Sequence, residues 1–370
     1  MKINHLDLFS GIGGFHLGFE RAGYEITSYF SEIDKHAIAV YKHQFPTSTY
    51  VGSVTNVRGA DLPRINLITF GSPCQDFSLA GKRKGMEGQR SSLVLEAIRL
   101  ISECRPSVFV WENVKGTFSS NDGADFWAII QAFANIGGYR LEWQLLNTSW
   151  FLPQNRERIY LVGYSTTTGG DWRGVFPIEE GNKLSNGMAS ERQTSACITT
   201  SYHKGVNYDN QLIKVKSATS DGYEQAEVGD SINLSNPNSE TRRGRVGKQK
   251  AQTLETSCNQ AVVEPKFTIG DIRYDAGGFR PRDNGVAPAL TNFSYNSCSI
   301  LRDNNTFRIR RLTPIECERL QGFPDQHTAY GNYDGEVKPM SNTQRYKQCG
   351  NAVTVDVVAA VAKKCIPLFN

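Results

Sequence analysis

The chain has 370 residues, of which 39% are hydrophobic and 21% are charged, and its formal net charge is +4. This length suffices for a full hydrophobic core and about two domains, and the composition excludes a disordered or fibrous protein. No apolar run is long enough to span a membrane, and the N-terminus lacks the apolar block of a signal peptide, so we expect a cytoplasmic protein. The charge is mildly basic, which does not by itself indicate a nucleic-acid partner.

Residues 1–165 alternate between strand-like and helix-like segments. Strands are predicted at 5–9, 25–30, 65–70, 107–114, 139–147 and 157–164, and helices at 15–23, 35–45, 92–105 and 125–138. Such alternation predicts a doubly wound α/β sheet. The last two strands have no helix between them, which predicts an antiparallel pair at the edge of the sheet.

The character of the chain changes after residue 165. Gly, Asn, Ser and Thr become frequent and the strand-like segments become short, which predicts a smaller, loop-rich β domain over 166–342. Helical patterns return at 312–323 and 353–366, and the C-terminal segment 343–370 is expected to pack back onto the first domain.

The cysteines and histidines show no spacing typical of a metal site. The eight cysteines include no CxxC pair, and the six histidines include no HExxH motif. The pattern argues against both a zinc cluster and a disulfide framework. We therefore predict no metal site.

The glycine-rich stretch DLFSGIGG follows the first predicted strand. Gly11, Gly13 and Gly14 permit a tight turn and a close approach of the backbone to a ligand at the start of the next helix. The dinucleotide fingerprint GxGxxG is not met, because His16 occupies its third glycine position. Glu32 follows about 20 residues later, where a carboxylate can accept hydrogen bonds from ribose hydroxyls. A nucleoside without a pyrophosphate, such as S-adenosylmethionine, fits this pattern better than NAD; a simple turn with a surface acid is the alternative.

A second feature is the stretch GSPCQDFS, which places Cys74 in a tight turn after an apolar strand. Reactive groups are often presented in such turns, whereas most free cysteines are inert. Position alone leaves both interpretations open.

These stretches together resemble motifs of the DNA (cytosine-5) methyltransferases. The similar segments are DLFSGIGG, SEID, GSPCQDFS, WENV, QNRERIY, RRLTPIECERLQGFP and GNAVTVDVV. The resemblance implies a Rossmann-like domain that uses S-adenosylmethionine and a smaller target recognition domain, together acting as a DNA (cytosine-5-)-methyltransferase. The region between 166 and 307 carries no family motif, as expected of the part that varies with the target sequence.

The resemblance also implies a set of cofactor residues for S-adenosylmethionine and its product S-adenosylhomocysteine. They are Phe9, Gly11, Gly13, Gly14, Glu32, Ile33, Ser53, Pro73, Asn351, Ala352 and Val353. Ser53 departs from the family, which usually carries an Asp there to accept a hydrogen bond from the adenine amino group. A serine accepts that bond without the negative charge, so we expect weaker cofactor binding.

The catalytic residues implied by the resemblance are Cys74, Glu112, Arg156 and Arg158. Cys74 attacks C6 of cytosine, which makes C5 nucleophilic. Glu112 contacts N3 and the exocyclic amine, Arg158 reaches O2, and Arg156, placed two residues away on the same predicted strand, supports the site. A structural ion pair between Glu112 and Arg158 is the alternative when each residue is considered singly.

Such chemistry requires the cytosine to be flipped out of the duplex, with residues 79–92 closing over it. The predicted DNA contacts come from this loop and from the basic stretch 241–282, and they are Gln75, Ser78, Lys82, Arg83, Lys84, Arg90, Arg242, Arg243 and Arg245.

Three alternative functions are weighed against this one. A tRNA methyltransferase shares the catalytic motifs, a catalytically silent DNA-binding regulator is disfavoured by the presence of Cys74, Glu112 and Arg158, and a NAD-dependent oxidoreductase is disfavoured by His16. We expect a monomer that acts at the nucleoid on double-stranded DNA. Whether a cognate restriction endonuclease acts separately beside it is left open.

Overall fold

The structure is a computed structural model that describes residues 1–71, 92–118, 123–167, 174–180, 213–236, 241–273, 278–281 and 297–369. Seven α-helices lie in these ranges: α1 (Gly14–Arg21), α2 (Lys35–Gln44), α3 (Ser92–Cys104), α4 (Ala124–Ala134), α5 (Pro314–Leu320), α6 (Asn342–Asn351) and α7 (Val355–Cys365). None of these described helices is long and apolar enough to cross a membrane.

The strands of the first part of the chain are β1 (Lys2–Leu8), β2 (Glu25–Ser31), β3 (Thr49–Tyr50), β4 (Leu67–Gly71), β5 (Val108–Val114), β6 (Tyr139–Asn147), β7 (Gln154–Asn155) and β8 (Glu157–Ser165). Those that follow are β9 (Ile213–Lys216), β10 (Tyr223–Ala226), β11 (Ser231–Asn233), β12 (Val246–Gly247), β13 (Ala251–Gln252), β14 (Gln260–Arg273), β15 (Gly278–Pro281), β16 (Ser297–Arg311), β17 (Tyr330–Tyr333) and β18 (Glu336–Pro339).

Seven strands form the central sheet, in the order β3-β2-β1-β4-β5-β8-β6. The first five are parallel to one another, whereas β8 runs antiparallel to both β5 and β6. The predicted doubly wound α/β sheet and its antiparallel edge are therefore confirmed. The carboxyl ends of the parallel strands meet at one edge, where ligand sites form in such sheets.

The two faces of the sheet are buried by different helices. Alternate residues of β5 separate the two cores: Val110 lies in one cluster with Phe19 of α1 and Val358 of α7, and Phe109 lies in another with Phe133 of α4. Such burial on both faces requires the almost continuous apolar runs seen in the strand sequences.

Helices α1 and α7 approach closely because α1 has a glycine at the contact. A Cβ atom at Gly18 would lie 2.4 Å from Cγ1 of Val358. The hydroxyl of Tyr24 also donates a 2.9 Å hydrogen bond to the carbonyl of Ala362. The C-terminal helix thus packs on the helix that follows the glycine-rich loop.

The chain divides into two compact units. The first comprises Met1–Arg192, Thr253–Cys258 and Thr313–Asn370, and the second comprises Gln193–Gln252 and Asn259–Leu312. The secondary structure described in the second unit consists of β-strands, with a sheet in the order β12-β11-β14-β15, β16 paired to β14, and a separate ribbon of β9 and β10.

This division differs from the predicted domain boundaries at 165 and 342. Val175 and Ile178 are buried in the core of the first unit, as are Leu320 and Phe323 around α5. Helix α5 begins at a capping box in which Thr313 and Glu316 bond each other's backbone N–H groups. The described residues 174–180 and 313–342 therefore lie in the first unit, because Val175, Ile178, Leu320 and Phe323 are buried in its cores.

Candidate active site

The carboxyl ends of β4 and β5 bring the start of the cysteine loop beside Glu112. Gly71, the last residue of β4, pairs directly with Glu112 in β5. Cys74 follows three positions later and, with the other predicted site residues between 72 and 91, it lies outside the described residues; these are Pro73, Gln75, Ser78, Lys82, Arg83, Lys84 and Arg90.

The structure brings Glu112 and Arg158 together. Nε of Arg158 lies 3.1 Å from Oε1 of Glu112, and the two side chains are 16% and 10% exposed. Apart from this ion pair, Oε1 has no hydrogen bond to the described residues. A Cβ atom at Gly71 would lie 3.1 Å from the other oxygen, Oε2, so the carboxylate lies over the end of β4. A buried carboxylate oxygen without a hydrogen bond is a group that a ligand can satisfy.

Arg156 has a different environment from Arg158. It lies between β7 and β8, so the prediction that both arginines share one strand is wrong. Its Nη2 donates to the carbonyl of Ala352 at 2.8 Å and its Nη1 to that of Gly350 at 3.3 Å. Burial, together with the nearby charge of Arg158, lowers the pKa of Arg156 to about 10. Its guanidinium group therefore binds the backbone of residues 350–353, which we call the GNAV segment.

The glycine-rich loop after β1 has the backbone that its sequence predicts. Phe9 and Gly11 have φ values of 50° and 53°, and Gly13, at 85°, precedes α1. Among the described residues, a Cβ atom at Gly11 would meet nothing within 4 Å, whereas one at Gly14 would lie 2.6 Å from Cγ2 of Val353. Gly11 is therefore open with respect to the described residues, and Gly14 allows α1 to pack against the GNAV segment.

Glu32 is fixed beside this loop by backbone hydrogen bonds. Its Oε2 accepts from the N–H of Gly11 at 2.9 Å, and its Oε1 accepts from those of Ile33 and Asp34 at 2.8 and 3.0 Å. Each carboxylate oxygen can accept about two hydrogen bonds, which leaves one position on Oε2 for a ligand hydroxyl. The neighbouring side chain of Ile33 is 78% exposed and offers an apolar surface to an adenine ring.

Two further residues bear on the fit of S-adenosylmethionine. The buried hydroxyl of Ser10, which no sequence pattern indicates, has no hydrogen-bond partner among the described residues and can donate to a ligand carboxylate. Ser53 is partly exposed and follows Gly52, whose φ is 89°, and its Oγ lies 3.0 Å from Oγ1 of Thr55. An open glycine turn, an oriented acid and a free hydroxyl fit a nucleoside that carries an amino-acid group.

The GNAV segment completes this edge of the first unit. Asn351 is exposed, whereas Ala352 and Val353 are buried. Gln321, a residue that the sequence analysis also missed, donates to the carbonyl of Cys349 at 2.8 Å and accepts from Thr354 at 2.9 Å. These long-range contacts carry no signal in a single sequence.

In the second unit, the three arginines that were predicted to contact DNA differ in their exposure to solvent. Arg243 is exposed and Arg242 is partly exposed. Arg245, in contrast, is 4% exposed, and its guanidinium donates to the carbonyls of Asn233 and Lys216. The predicted DNA contact of Arg245 stays a prediction that the structure does not favour, because the donors of its guanidinium are used inside the protein.

The chain was compared with known proteins. The family model of the C-5 cytosine-specific DNA methylases matches residues 3–367. The orphan methyltransferase M.SPRI of Bacillus phage SPR is 30% identical in an alignment of 438 residues that covers 100% of this chain and 98% of its own. The Type II methyltransferase M1.ScrFI of Lactococcus lactis subsp. cremoris is 30% identical over 390 residues, and the alignment covers 100% of this chain and 79% of that protein.

The solved structure of a Spodoptera frugiperda DNMT2 variant has the same fold, with a TM-score of 0.55 and 17% identity over 100% of both chains. These matches confirm the predicted methyltransferase fold and activity, and the oxidoreductase alternative is wrong. The chain belongs to the family of C-5 cytosine-specific DNA methylases.

Proposed function

We propose that Cys74, Glu112 and Arg158 carry out methyl transfer to C5 of a cytosine that is flipped out of duplex DNA. The observation that carries this assignment is the Glu112–Arg158 pair, in which Oε1 of Glu112 has, apart from the ion pair, no hydrogen bond to the described residues. The buried carboxylate is ion-paired to Arg158 and keeps acceptor capacity that a ligand can use, which supports a role in binding the base. The pair lies beside Gly71, where the chain enters the loop of Cys74.

Cys74 acts as the nucleophile in this scheme. Its thiolate forms a bond to C6 of the cytosine, and the electron pair of the C5–C6 double bond becomes available at C5. C5 then takes the methyl group as its bond to the cofactor sulfur breaks. A base removes the C5 proton, the C5–C6 double bond re-forms and the thiolate departs. Covalent attachment divides one difficult substitution at a poor nucleophile into two easier steps.

Glu112 and Arg158 orient the base and stabilise its charge. The carboxyl group of Glu112 is suited to accept from the exocyclic amine and to share a proton with N3, a pattern that distinguishes cytosine from thymine. Arg158 is held 3.1 Å from that carboxylate and donates from Nη1 to the carbonyl of Glu157 at 2.8 Å, and in this proposal its remaining N–H groups bind O2. Together they stabilise the charge that develops on the ring as the thiolate attacks C6.

The residues that would hold S-adenosylmethionine surround the glycine-rich loop. Glu32 accepts a ribose hydroxyl, Ile33 packs against the adenine, and Ser53 accepts from its amino group. Phe9, Gly11, Gly13, Gly14, Pro73, Asn351, Ala352 and Val353 line the remainder of the site in this proposal. When bound, the cofactor supplies the electrophilic methyl group. We propose that the chain acts as a monomer, because the proposed site uses residues of a single chain and requires none from a second copy.

The experiment that tests this function uses a bacterial host without cytosine-5 methylation. Wild type, Cys74→Ala and Glu112→Gln are expressed there, and both genomic DNA and tRNA are treated with bisulfite and sequenced. We expect protected cytosines within one short DNA motif for the wild type and none for Cys74→Ala. Protection in tRNA with unprotected DNA would establish the alternative substrate, and DNA protection by Cys74→Ala would remove Cys74 as the nucleophile.

A further inference from the structure

The strands β9 and β10 form a two-stranded antiparallel ribbon in the second unit. In its register Lys214 lies opposite Gln225, and Lys216 lies opposite Tyr223. Residues directly opposite one another, and those two apart on one strand, share a face, so these four side chains lie on the same side of the ribbon. Lys214, Lys216 and Gln225 are exposed, and Tyr223 is partly exposed.

The opposite face of the ribbon is buried, which fixes the lysine face toward solvent. Val215 and Ala226 are 7% and 0% exposed and lie in one cluster with Ile232 and Val263. An isolated two-stranded ribbon is marginally stable in water, so this burial is what keeps its shape.

Two side chains hold the ribbon to the neighbouring strand β12. The carboxylate of Glu224 accepts hydrogen bonds from the backbone N–H groups of Arg245 and Val246 at 3.2 and 3.0 Å. The buried guanidinium of Arg245 donates in turn to the carbonyl of Lys216 at 2.7 Å. These hydrogen bonds therefore hold the ribbon in place, and Arg245 stabilises it from the buried side.

The exposed face is positively charged and carries side chains of the kinds that bind nucleic acids. Nζ of Lys214 lies 4.5 Å from the ring centroid of Tyr223. The acids of 213–226 are absent from this face, since Glu224 lies on the buried side and Asp221 lies in the turn. Next to the turn, exposed Arg243 donates from Nε to the carbonyl of Ala218 at 2.8 Å and adds another positive charge.

We propose that this face of the β9–β10 ribbon enters the major groove of duplex DNA, with Lys214 and Lys216 on phosphates and Gln225 at a base edge. The inference rests on the proposed function, which supplies duplex DNA as the substrate. The major groove is wide enough for a two-stranded ribbon, and a glutamine amide matches the donor and acceptor pair of adenine. The lysines supply the charge that phosphate binding requires, and the amide supplies selectivity.

The phosphate contacts are tested by the salt dependence of DNA binding. The variant Lys214→Gln/Lys216→Gln is compared with Lys363→Gln/Lys364→Gln, which removes the same charge from the end of α7 in the first unit. Binding to a fluorescent duplex that carries the site identified by bisulfite sequencing is measured by anisotropy at several salt concentrations. The slope of log K against log salt should fall by about 0.9 for each lost contact in the ribbon variant alone. Equal slopes in the two variants would overturn the phosphate assignment.

The base contact is tested with Gln225→Ala and, as its control, Gln131→Ala on α4, where the side chain is likewise exposed. Methylation rates are measured on the cognate duplex and on duplexes with one altered base pair at each position in turn. We expect Gln225→Ala to lose discrimination at one position by on the order of tenfold. Unchanged discrimination at every position would overturn the base contact.

Measurements on the wild type distinguish a failure of the proposed function from a failure of the ribbon proposal. If the wild type methylates no duplex, the proposed function fails before the variants are compared. If it methylates DNA and the ribbon variants behave like their controls, the ribbon alone is refuted. Thermal unfolding of all four variants checks that each is folded.

Discussion

The guanidinium of Arg156 donates to the carbonyl of Ala352 at 2.8 Å, across a separation of almost 200 residues in the chain. This hydrogen bond joins the GNAV segment to the turn before β8, the strand that carries Arg158. The contact therefore links the proposed cofactor site to the proposed base site, and the two arginines, although separated by one residue, have different functions.

We expect Arg156→Lys to raise the KM for S-adenosylmethionine severalfold while leaving the KM for DNA almost unchanged. An ammonium group cannot reproduce the forked geometry that bonds the carbonyls of Gly350 and Ala352, so the GNAV segment loses its position. Arg158→Lys is the matched control and should lower kcat instead, because Arg158 faces Glu112. Initial-rate kinetics with each substrate varied in turn measure both effects. The same kinetic pattern in both variants would contradict this division of functions.

The substitution Glu112→Gln should reduce kcat by about 10²- to 10⁴-fold without weakening the binding of S-adenosylmethionine. The amide keeps the shape of the side chain but removes the charge that faces Arg158 and the oxygen that is free for the base. Single-turnover methylation measures the rate, and calorimetric titration measures cofactor binding. A parallel loss of cofactor binding would indicate a structural function for the pair.

Replacing Ser53 by Asp should strengthen the binding of S-adenosylmethionine by about tenfold, because a carboxylate accepts a stronger hydrogen bond from the adenine amino group. Ser53→Ala is the complementary variant and should weaken binding. Isothermal titration of both variants against the wild type measures the change. Unchanged affinity in both would place the adenine amino group away from this residue.

The contact of α1 with α7 predicts a loss of stability for Gly18→Ala. The added methyl group would lie 2.4 Å from Cγ1 of Val358, and overpacking of this kind costs about 1–3 kcal/mol. Chemical denaturation measures the free energy of unfolding. The double variant Gly18→Ala/Val358→Ala should be more stable than the sum of the two single variants predicts, because the smaller residue relieves the clash. Additive losses would show that the helices move apart.

His327 should make the stability of the protein depend on pH in the acidic range. Burial lowers the pKa of His327 to about 4, and its Nε2 lies 2.8 Å from the carbonyl of Ile12. In the unfolded chain His327 takes up a proton below about pH 6.5, whereas in the folded protein it stays neutral down to about pH 4. Above about pH 6.5 the ring is neutral in both states, so the stability of the fold is then at its full value with respect to this group. As pH falls from about 6.5 to 4, this contribution of about 3 kcal/mol is lost. In His327→Gln the melting temperature should change less over this interval; equal slopes would refute the assignment.

The local pattern of the sequence determined much of the fold and part of the site. Apolar runs followed by helical periods predicted the strands and helices of the central sheet, because each element must bury a face of its own. The short strand β3 and helix α6 were not predicted. Helix α6 is polar along most of its length and is held by the 2.8 Å ion pair of Arg345 with the fully buried Glu318, a contact that no local pattern records.

The sequence also assigned Glu112 and Arg158 to two predicted strands, and the family resemblance joined them in one site. The pairing of β5 with β8, which brings the two side chains to 3.1 Å, was decided by the tertiary structure. The tertiary structure alone decided which arginine serves which partner. Arg156 and Arg245 read as functional cations, yet both are buried and bonded to backbone carbonyls. Charge is a property of a residue, whereas burial and hydrogen bonding depend on segments distant in the chain, so their functions became distinguishable only in the folded protein.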